Sequence, residues 1–237
     1  MAIELLTDEV KRVLCVVAHP DDVEYGTSAA VAHWTARGVH VAYLLLTRGE
    51  AGMQRHPDET IPVRAEEQRR ACESVGVTDL TMLDHRDGVL EFTLDLRRDI
   101  ARHIRRFQPD TVVTGTWEVE PGWGGLNQAD HRVAGLSVVD AIPAADNRWI
   151  FPELIDEGLE PHKVTRLLVS GMTPTVAVEV SPDEMAKGVR SLECHEAYLA
   201  DLPDHPTPAD FIPEVLRAEG AEAGVDLAVS FRQFLFR

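Results

Sequence analysis

The chain has 237 residues, 44% hydrophobic and 27% charged, enough apolar material for one large globular domain spanning 1–237. Forty acidic residues against 23 basic ones leave a formal net charge of −17. That balance argues against nucleic acid and anionic membranes as partners, because both recruit basic surfaces. Cys15, Cys72 and Cys194 are odd in number and widely spaced, the pattern of buried thiols in a reducing cytoplasm rather than a disulfide framework. The acidic start, MAIELLTDEVKR, lacks a basic segment followed by an apolar stretch. No run approaches the length of a membrane span, so a cytoplasmic location is expected.

Strand and helix patterns alternate along the chain. The apolar run Val13–Ala18 reads as a strand buried on both faces of a parallel sheet. A helix is expected from Val23 to Arg37, stopped by Gly38, and a second buried strand from Val39 to Thr47. IPVRAEEQRRACESVG, with Pro62 near its start and Gly76 as its stop, is a helix. LTMLD is a short third strand, TLDLRRDIARHIRRF a strongly periodic helix, and TVVTGT a fourth strand. A helix from Ala129 to Ala141 and a fifth strand in VTRLLVS follow. Such alternation predicts right-handed βαβ units in an α/β fold, a Rossmann-like, mostly parallel sheet flanked by helices. The stretches 117–127, 143–161 and 202–213 are expected to be loops or lids.

A dinucleotide site needs glycines after the first strand, so that backbone can approach a pyrophosphate. Here that turn is His19-Pro20-Asp21-Asp22, with no glycine and two carboxylates that would repel phosphate. An imidazole and a carboxylate three residues apart can converge on one cation, which makes His19 and Asp22 a candidate ligand pair. Catalytic zinc takes three protein ligands and leaves one position for water. The third ligand should come from another strand end. His131 qualifies, in the first turn of the helix that follows the glycine- and tryptophan-rich loop WEVEPGWGGLNQ. Its neighbour Asp130 is either a partner behind the ligands or a favourable charge at the helix N-terminus.

AHPDDVEYG resembles the AHPDD signature of the LmbE-like (PIG-L-type) de-N-acetylases, and the likeness continues through most of the chain. LTRGEAG resembles that family's second-strand end, VRAEEQRRACESVGV its Arg- and Glu-containing helix, and Arg86–Gly88 the loop after its third strand. NQADHRVAG resembles its HPDHRAAG element, and SLECHEAY its late helix. The resemblance implies an LmbE-like fold and a zinc-dependent hydrolase that removes an acyl group, most often acetyl, from an amino-sugar-containing small molecule. It implies His19, Asp22 and His131 as metal ligands and Asp21 as general base. Arg64 and Asp87 would grip sugar hydroxyls, with Glu50 lining the same cleft. Trp117 and Trp123 would stack on a sugar or aglycone face. A homo-oligomer is compatible with the family.

The chain departs from the family at three positions. Gln128 stands where relatives carry a second histidine, Leu126 where some carry tyrosine, and Ser230 where many carry glutamate. A carboxamide can donate to an oxyanion but cannot supply a proton at neutral pH. The leaving amine must then be protonated by Asp21 acting as a shuttle, or by His195 if it reaches the cleft. Alternatives include an amidase acting on a thiol-sugar conjugate of the mycothiol type and a metal-binding ligand sensor. A non-haem iron site also uses two histidines and a carboxylate, but its HxD spacing on an all-β barrel differs from HxxD on an α/β pattern.

Overall fold

The computed structural model describes residues 3–7, 10–122 and 124–236. Its first half contains β1 (Glu4–Leu5), β2 (Arg12–Val17), α1 (Asp22–Gly26), α2 (Ser28–Ala36), β3 (His40–Thr47), α3 (Pro57–Ser74), β4 (Asp79–His85), α4 (Leu94–Phe107) and β5 (Thr111–Gly115). Its second half contains α5 (Ala129–Asp146), α6 (Glu153–Asp156), β6 (Arg166–Ser170), β7 (Val176–Glu179), α7 (Pro182–Glu193), α8 (Glu196–Ala200), α9 (Pro208–Ala223) and β8 (Ala228–Leu235). Among the described residues the strands form one eight-stranded sheet in the order β1-β7-β8-β6-β5-β2-β3-β4. All neighbouring pairs are parallel except those of β8, which runs antiparallel to β6 and β7. The expected Rossmann-like, mostly parallel α/β sheet is observed.

The unbroken apolar character of β2 follows from its place in the middle. Val13, Cys15 and Val17 enter the core packed beneath α2, α7 and α9, while Leu14, Val16 and Ala18 enter the one beneath α4 and α5. Pleating sends successive side chains to opposite faces, so both faces of β2 must be apolar. Helix α4 shows the complementary logic. Leu96, Ile100, Ala101, Ile104 and Phe107 recur at helical spacing and are buried, and Thr93 caps the helix by accepting from the Leu96 amide. All three cysteines are buried and free. Among the described residues no helix is long and apolar enough to cross a membrane.

Several expected boundaries move. The helix expected from Val23 to Arg37 is two helices, because Thr27 leaves helical geometry at φ −135° and starts a new one. The helix expected to stop at Ala141 continues through Pro143 to Asp146, so 143–161 begins as helix and also contains α6. The stretch 202–213 enters α9 at Pro208, where a proline suits the first helical turn. The segment after α5 is held to the body by buried Arg105. Its guanidinium donates to the carbonyls of Ala145 at 3.0 Å and Asn147 at 2.8 Å, and also to Ala144, Ile150 and Leu159. That clasp ties the segment to the body of the domain.

Arg105→Met keeps the apolar stem but leaves these carbonyls without their donors, a loss of about 3 kcal/mol. Thermal denaturation should show the midpoint falling by roughly 6–12 °C. An unchanged midpoint would mean that the clasp contributes nothing to stability.

Candidate metal centre

The sheet order explains where the chemistry-bearing residues meet. From β2 the chain moves outward in one direction through β3 and β4, then crosses back to place β5 on the other side of β2. Loops leaving the carboxyl ends of β2 and β5 therefore diverge, and they open the crevice in which ligands of such sheets bind. His19 lies two residues past the end of β2, and Asp22 begins α1. His131 sits in the first turn of α5, the next helix after β5.

Two imidazole nitrogens and the Asp22 carboxylate converge there. His19 Nδ1 lies 3.2 Å from His131 Nε2, His131 Nε2 lies 3.1 Å from Asp22 Oδ1, and His19 Nδ1 lies 3.7 Å from Asp22 Oδ2. Metal–ligand bonds of 2.0–2.1 Å in tetrahedral geometry set neighbouring donors about 3.3 Å apart. The observed triangle fits such an ion, and two nitrogens with one carboxylate oxygen suit zinc.

The far side of each ring decides its tautomer. His19 Nε2 donates towards Asp130 Oδ2 at 3.2 Å and Asp87 Oδ1 at 3.0 Å. His131 Nδ1 donates to Asn127 Oδ1 at 3.1 Å. The Asn127 amide is itself oriented, because its nitrogen donates to the carbonyls of Thr116 and Glu118. Neutral imidazoles held this way turn their lone pairs inward, towards Asp22. Asp130 is in turn fixed by the amides of Gly88 at 2.8 Å and Leu90 at 3.1 Å. Burial lowers the pKa of His19, but Asp130, Asp22 and Asp87 outweigh it and raise the group well above its ordinary value. His131 is raised likewise, with Asp22 overcoming burial. The pocket therefore favours positive charge, whether a proton or a metal supplies it.

Asp21 is turned elsewhere by its backbone. It adopts φ 87°, a left-handed conformation that non-glycine residues seldom occupy, and its side chain makes no capping bond to α1. The strained peptide is held by Gln68, whose Oε1 accepts from the Asp21 amide at 3.0 Å, and by Arg64, which donates to the Pro20 carbonyl at 2.6 Å. Arg64 Nη2 also lies 3.3 Å from Asp21 Oδ2, and the Arg64 guanidinium stacks 3.8 Å from the Tyr198 ring centroid. Burial raises the Asp21 carboxyl to about 6, against the opposing pull of Arg64 and with a contribution from the Asp22 charge.

The residues expected to bind sugar each have protein partners. Arg64 is only 2% exposed and braces Asp21. Asp87 faces His19 with one oxygen and accepts from the Ala51 amide with the other, while Glu50 accepts from the Asp87 amide at 2.9 Å. Asp87 and Glu50 thus lace the loops after β3 and β4 together behind His19. Gln128 is exposed at the N-cap of α5, with no side-chain cap bond, and Leu126 is exposed beside it. Trp117 packs against Phe234. Trp123 lies outside the described residues. His195 is wholly buried at 3.8 Å from Glu24 Oε2, and burial first, then Arg64 and Arg70, holds its pKa near 3. It does not reach the cleft.

Sequence reasoning missed Asn127, Gln68 and Tyr198. Gln68 lies four residues after Arg64 on α3, so helical periodicity carried a signal for it, whereas Asn127 precedes α5 and had none. Nothing local announces Tyr198, which meets Arg64 only through the packing of α8 against α3.

Comparison with known proteins bears on this geometry. Residues 14–142 match the family model described as PIG-L, GlcNAc-PI de-N-acetylase. The chain is 30% identical over 194 residues to a diacetylchitobiose deacetylase of Thermococcus kodakarensis, covering 80% of this chain and 71% of that protein. It is 33% identical over 140 residues to a probable N-acetyl-α-D-glucosaminyl L-malate deacetylase 2 of Bacillus anthracis, covering 56% of this chain and 59% of that one. An N,N'-diacetylchitobiose deacetylase of Pyrococcus horikoshii, solved with an inhibitor, shares the fold at a TM-score of 0.85 and 22% identity. That likeness covers 96% of this chain and 85% of the Pyrococcus chain.

Residues behind the ligands should tune metal affinity without supplying a ligand atom. Asn127→Ala and Asp130→Asn should each weaken zinc binding by about 10- to 100-fold in chelator-buffered titrations. Parent affinity in both variants would contradict the tautomer argument. Because the carboxylates raise the His19 pKa, protons compete with metal for its lone pair, so zinc affinity should climb as pH rises from about 5 to 8. A flat profile would refute that competition.

Proposed function

The chain belongs to the PIG-L family of de-N-acetylases, and we propose that it is a zinc-dependent hydrolase removing an N-acetyl group from an amino-sugar-containing small molecule. The observation that carries the proposal is the convergence of His19, Asp22 and His131 beside a buried, separately oriented Asp21. Both curated relatives described above are named as deacetylases, one of diacetylchitobiose and one, as probable, of an N-acetylglucosaminyl malate.

His19, Asp22 and His131 are the residues that would hold zinc. Bound there, zinc supplies a Lewis acid for the amide carbonyl and brings water within reach of deprotonation near neutrality. Asp21 provides the base. As the water oxygen adds to the amide carbon, the Asp21 carboxylate accepts its proton. As the carbon–nitrogen bond breaks, the same carboxyl returns that proton to the nitrogen, so acetic acid and the amine separate, and in water the acid's proton passes on to leave acetate and an ammonium group. A carboxyl raised to about 6 suits both halves of this shuttle at neutral pH. Arg64, 3.3 Å from the Asp21 carboxylate, holds it in place, while burial keeps it basic enough to work. Gln128, one helical turn before His131, contributes a neutral amide donor to the negative charge that grows on the carbonyl oxygen.

Asp21→Asn should retain zinc and lose about 10²–10⁴-fold in kcat on an N-acetylglucosaminide. Normal turnover would remove Asp21 from the mechanism. In the parent enzyme, kcat/KM should show an acid limb at or below pH 6, because the base works only when ionised and a nearby cation can only lower its pKa. Gln128→Ala should lower kcat on the order of 10-fold or more with zinc retained. An unchanged kcat would place that amide outside the reaction.

A further inference from the structure

Behind the base runs a row of buried polar groups that the hydrolytic reading leaves without a part. Glu24 of α1, Gln68 of α3 and Ser191 of α7 are each 1% exposed or less. Gln68 Nε2 donates to Glu24 Oε1 at 3.0 Å, and its second hydrogen faces Cys72 Sγ at 3.6 Å. The Ser191 hydroxyl lies 3.1 Å from the Ala71 carbonyl and 3.4 Å from the same Glu24 oxygen. His195 Nε2 stands 3.8 Å from the other oxygen, Oε2. Burying a carboxyl group is unfavourable, and an apolar side chain would fill this place without that cost.

The contacts of Glu24 close a ring around the Asp21 peptide. Its backbone amide donates to the Asp21 carbonyl at 2.8 Å, its side chain accepts from Gln68, and Gln68 Oε1 accepts from the Asp21 amide at 3.0 Å. Three hydrogen bonds thus hold both ends of a residue at φ 87°, a conformation that persists only where its surroundings impose it. The ring has a direction. A carboxamide carries hydrogens at one end and a bare oxygen at the other, and only the oxygen can receive the Asp21 N–H. Glu24 Oε1 and the Cys72 sulfur take the Gln68 hydrogens, which leaves the oxygen facing Asp21. Without an acceptor at position 24, the amide is free to turn and set its hydrogens against that N–H.

Resting on the assignment of Asp21 as the base, we propose that Glu24 is a positioning residue for the reaction. It fixes the direction of the Gln68 amide, the amide holds the left-handed turn at Asp21, and the turn aims the Asp21 carboxyl. Glu24 acts through these groups and touches no reacting atom, since its side chain lies among Gln68, Ser191 and His195.

The test is a double-mutant cycle on kcat for an N-acetylglucosaminide, with zinc content and thermal midpoint measured for every variant. Glu24→Leu should lower kcat by about 10- to 100-fold, the scale on which a displaced reacting group loses rate, with KM and zinc content unchanged. Glu24→Gln, whose carboxamide oxygen can still accept from Gln68, should recover most of that loss. In the Asp21→Asn background, Glu24→Leu should lower kcat no further, because the carboxyl it aims is gone. Gln68→Met opens the ring from the other side and should repeat this pattern, which gives a second reading if the leucine variant does not fold. Three results would each overturn the positioning role while leaving Asp21 as the base. They are equal losses in both backgrounds, an unchanged kcat in folded Glu24→Leu or Gln68→Met, and a Glu24→Gln variant as slow as Glu24→Leu. No turnover by the zinc-loaded parent, or parent-level turnover in Asp21→Asn alone, would instead overturn the reading on which the role rests, and the role with it.

Discussion

Two imidazoles whose lone pairs face each other across 3.2 Å are the constraint on which the rest of the site depends. Between two neutral rings that contact is unfavourable, and in the metal-free site it favours a shared proton, in line with the raised pKa of both histidines. The arrangement persists because each ring donates an N–H away from the centre, His19 to Asp130 and Asp87 and His131 to Asn127. These partners are anchored in turn by backbone amides at Gly88, Leu90 and Ala51 and by the carbonyls of Thr116 and Glu118. The loops after β2, β3, β4 and β5 are thus joined by hydrogen bonds whose common effect is to present two imidazole nitrogens and the Asp22 carboxylate to one point. The sheet brings those loops to one edge, and the divergence of β3 and β5 from β2 leaves the gap between them.

The adjacent aspartates show how one turn separates two kinds of chemistry. Both carboxylates are close to histidine and to each other, and two like charges in a buried place would ordinarily push one towards neutrality. The left-handed backbone at Asp21 sends them apart. Asp22 faces the imidazoles, which hold its pKa low despite burial, while Asp21 faces Arg64, which does not fully offset burial. One carboxylate is thereby permanently charged and suited to a cation, and the other is poised to exchange a proton. The strain at Asp21 is sustained by Gln68 and by the Arg64 contact to Pro20. Arg64 consequently belongs to the frame of the base.

Much of this was legible in the chain. The apolar run from Val13, followed by His19, Asp21 and Asp22, marked a central strand ending at a site, and the alternation of patterns pointed to the sheet that is observed. His131 was recognisable because it opens a helix after another strand. The later part of the chain was harder. Pro143 and Pro213 look like helix breakers, yet each lies inside a helix, where tertiary packing outweighs one missing hydrogen bond. The partners of Arg64, Asp87 and Glu50 were hidden for a different reason. A polar residue near a cleft reads the same in sequence whether it faces solvent or a neighbouring loop. Only the register of β3 against β4 and the packing of α8 on α3 determine which.

The most direct test of the account is a crystal structure of the zinc-loaded protein with anomalous diffraction measured on both sides of the zinc absorption edge. The account predicts one strong anomalous peak bonded to His19 Nδ1, His131 Nε2 and an Asp22 oxygen, with Asp21 outside the coordination shell and still beside Arg64. A peak bonded to His19 Nε2, or one that takes Asp21 as a ligand, would contradict it.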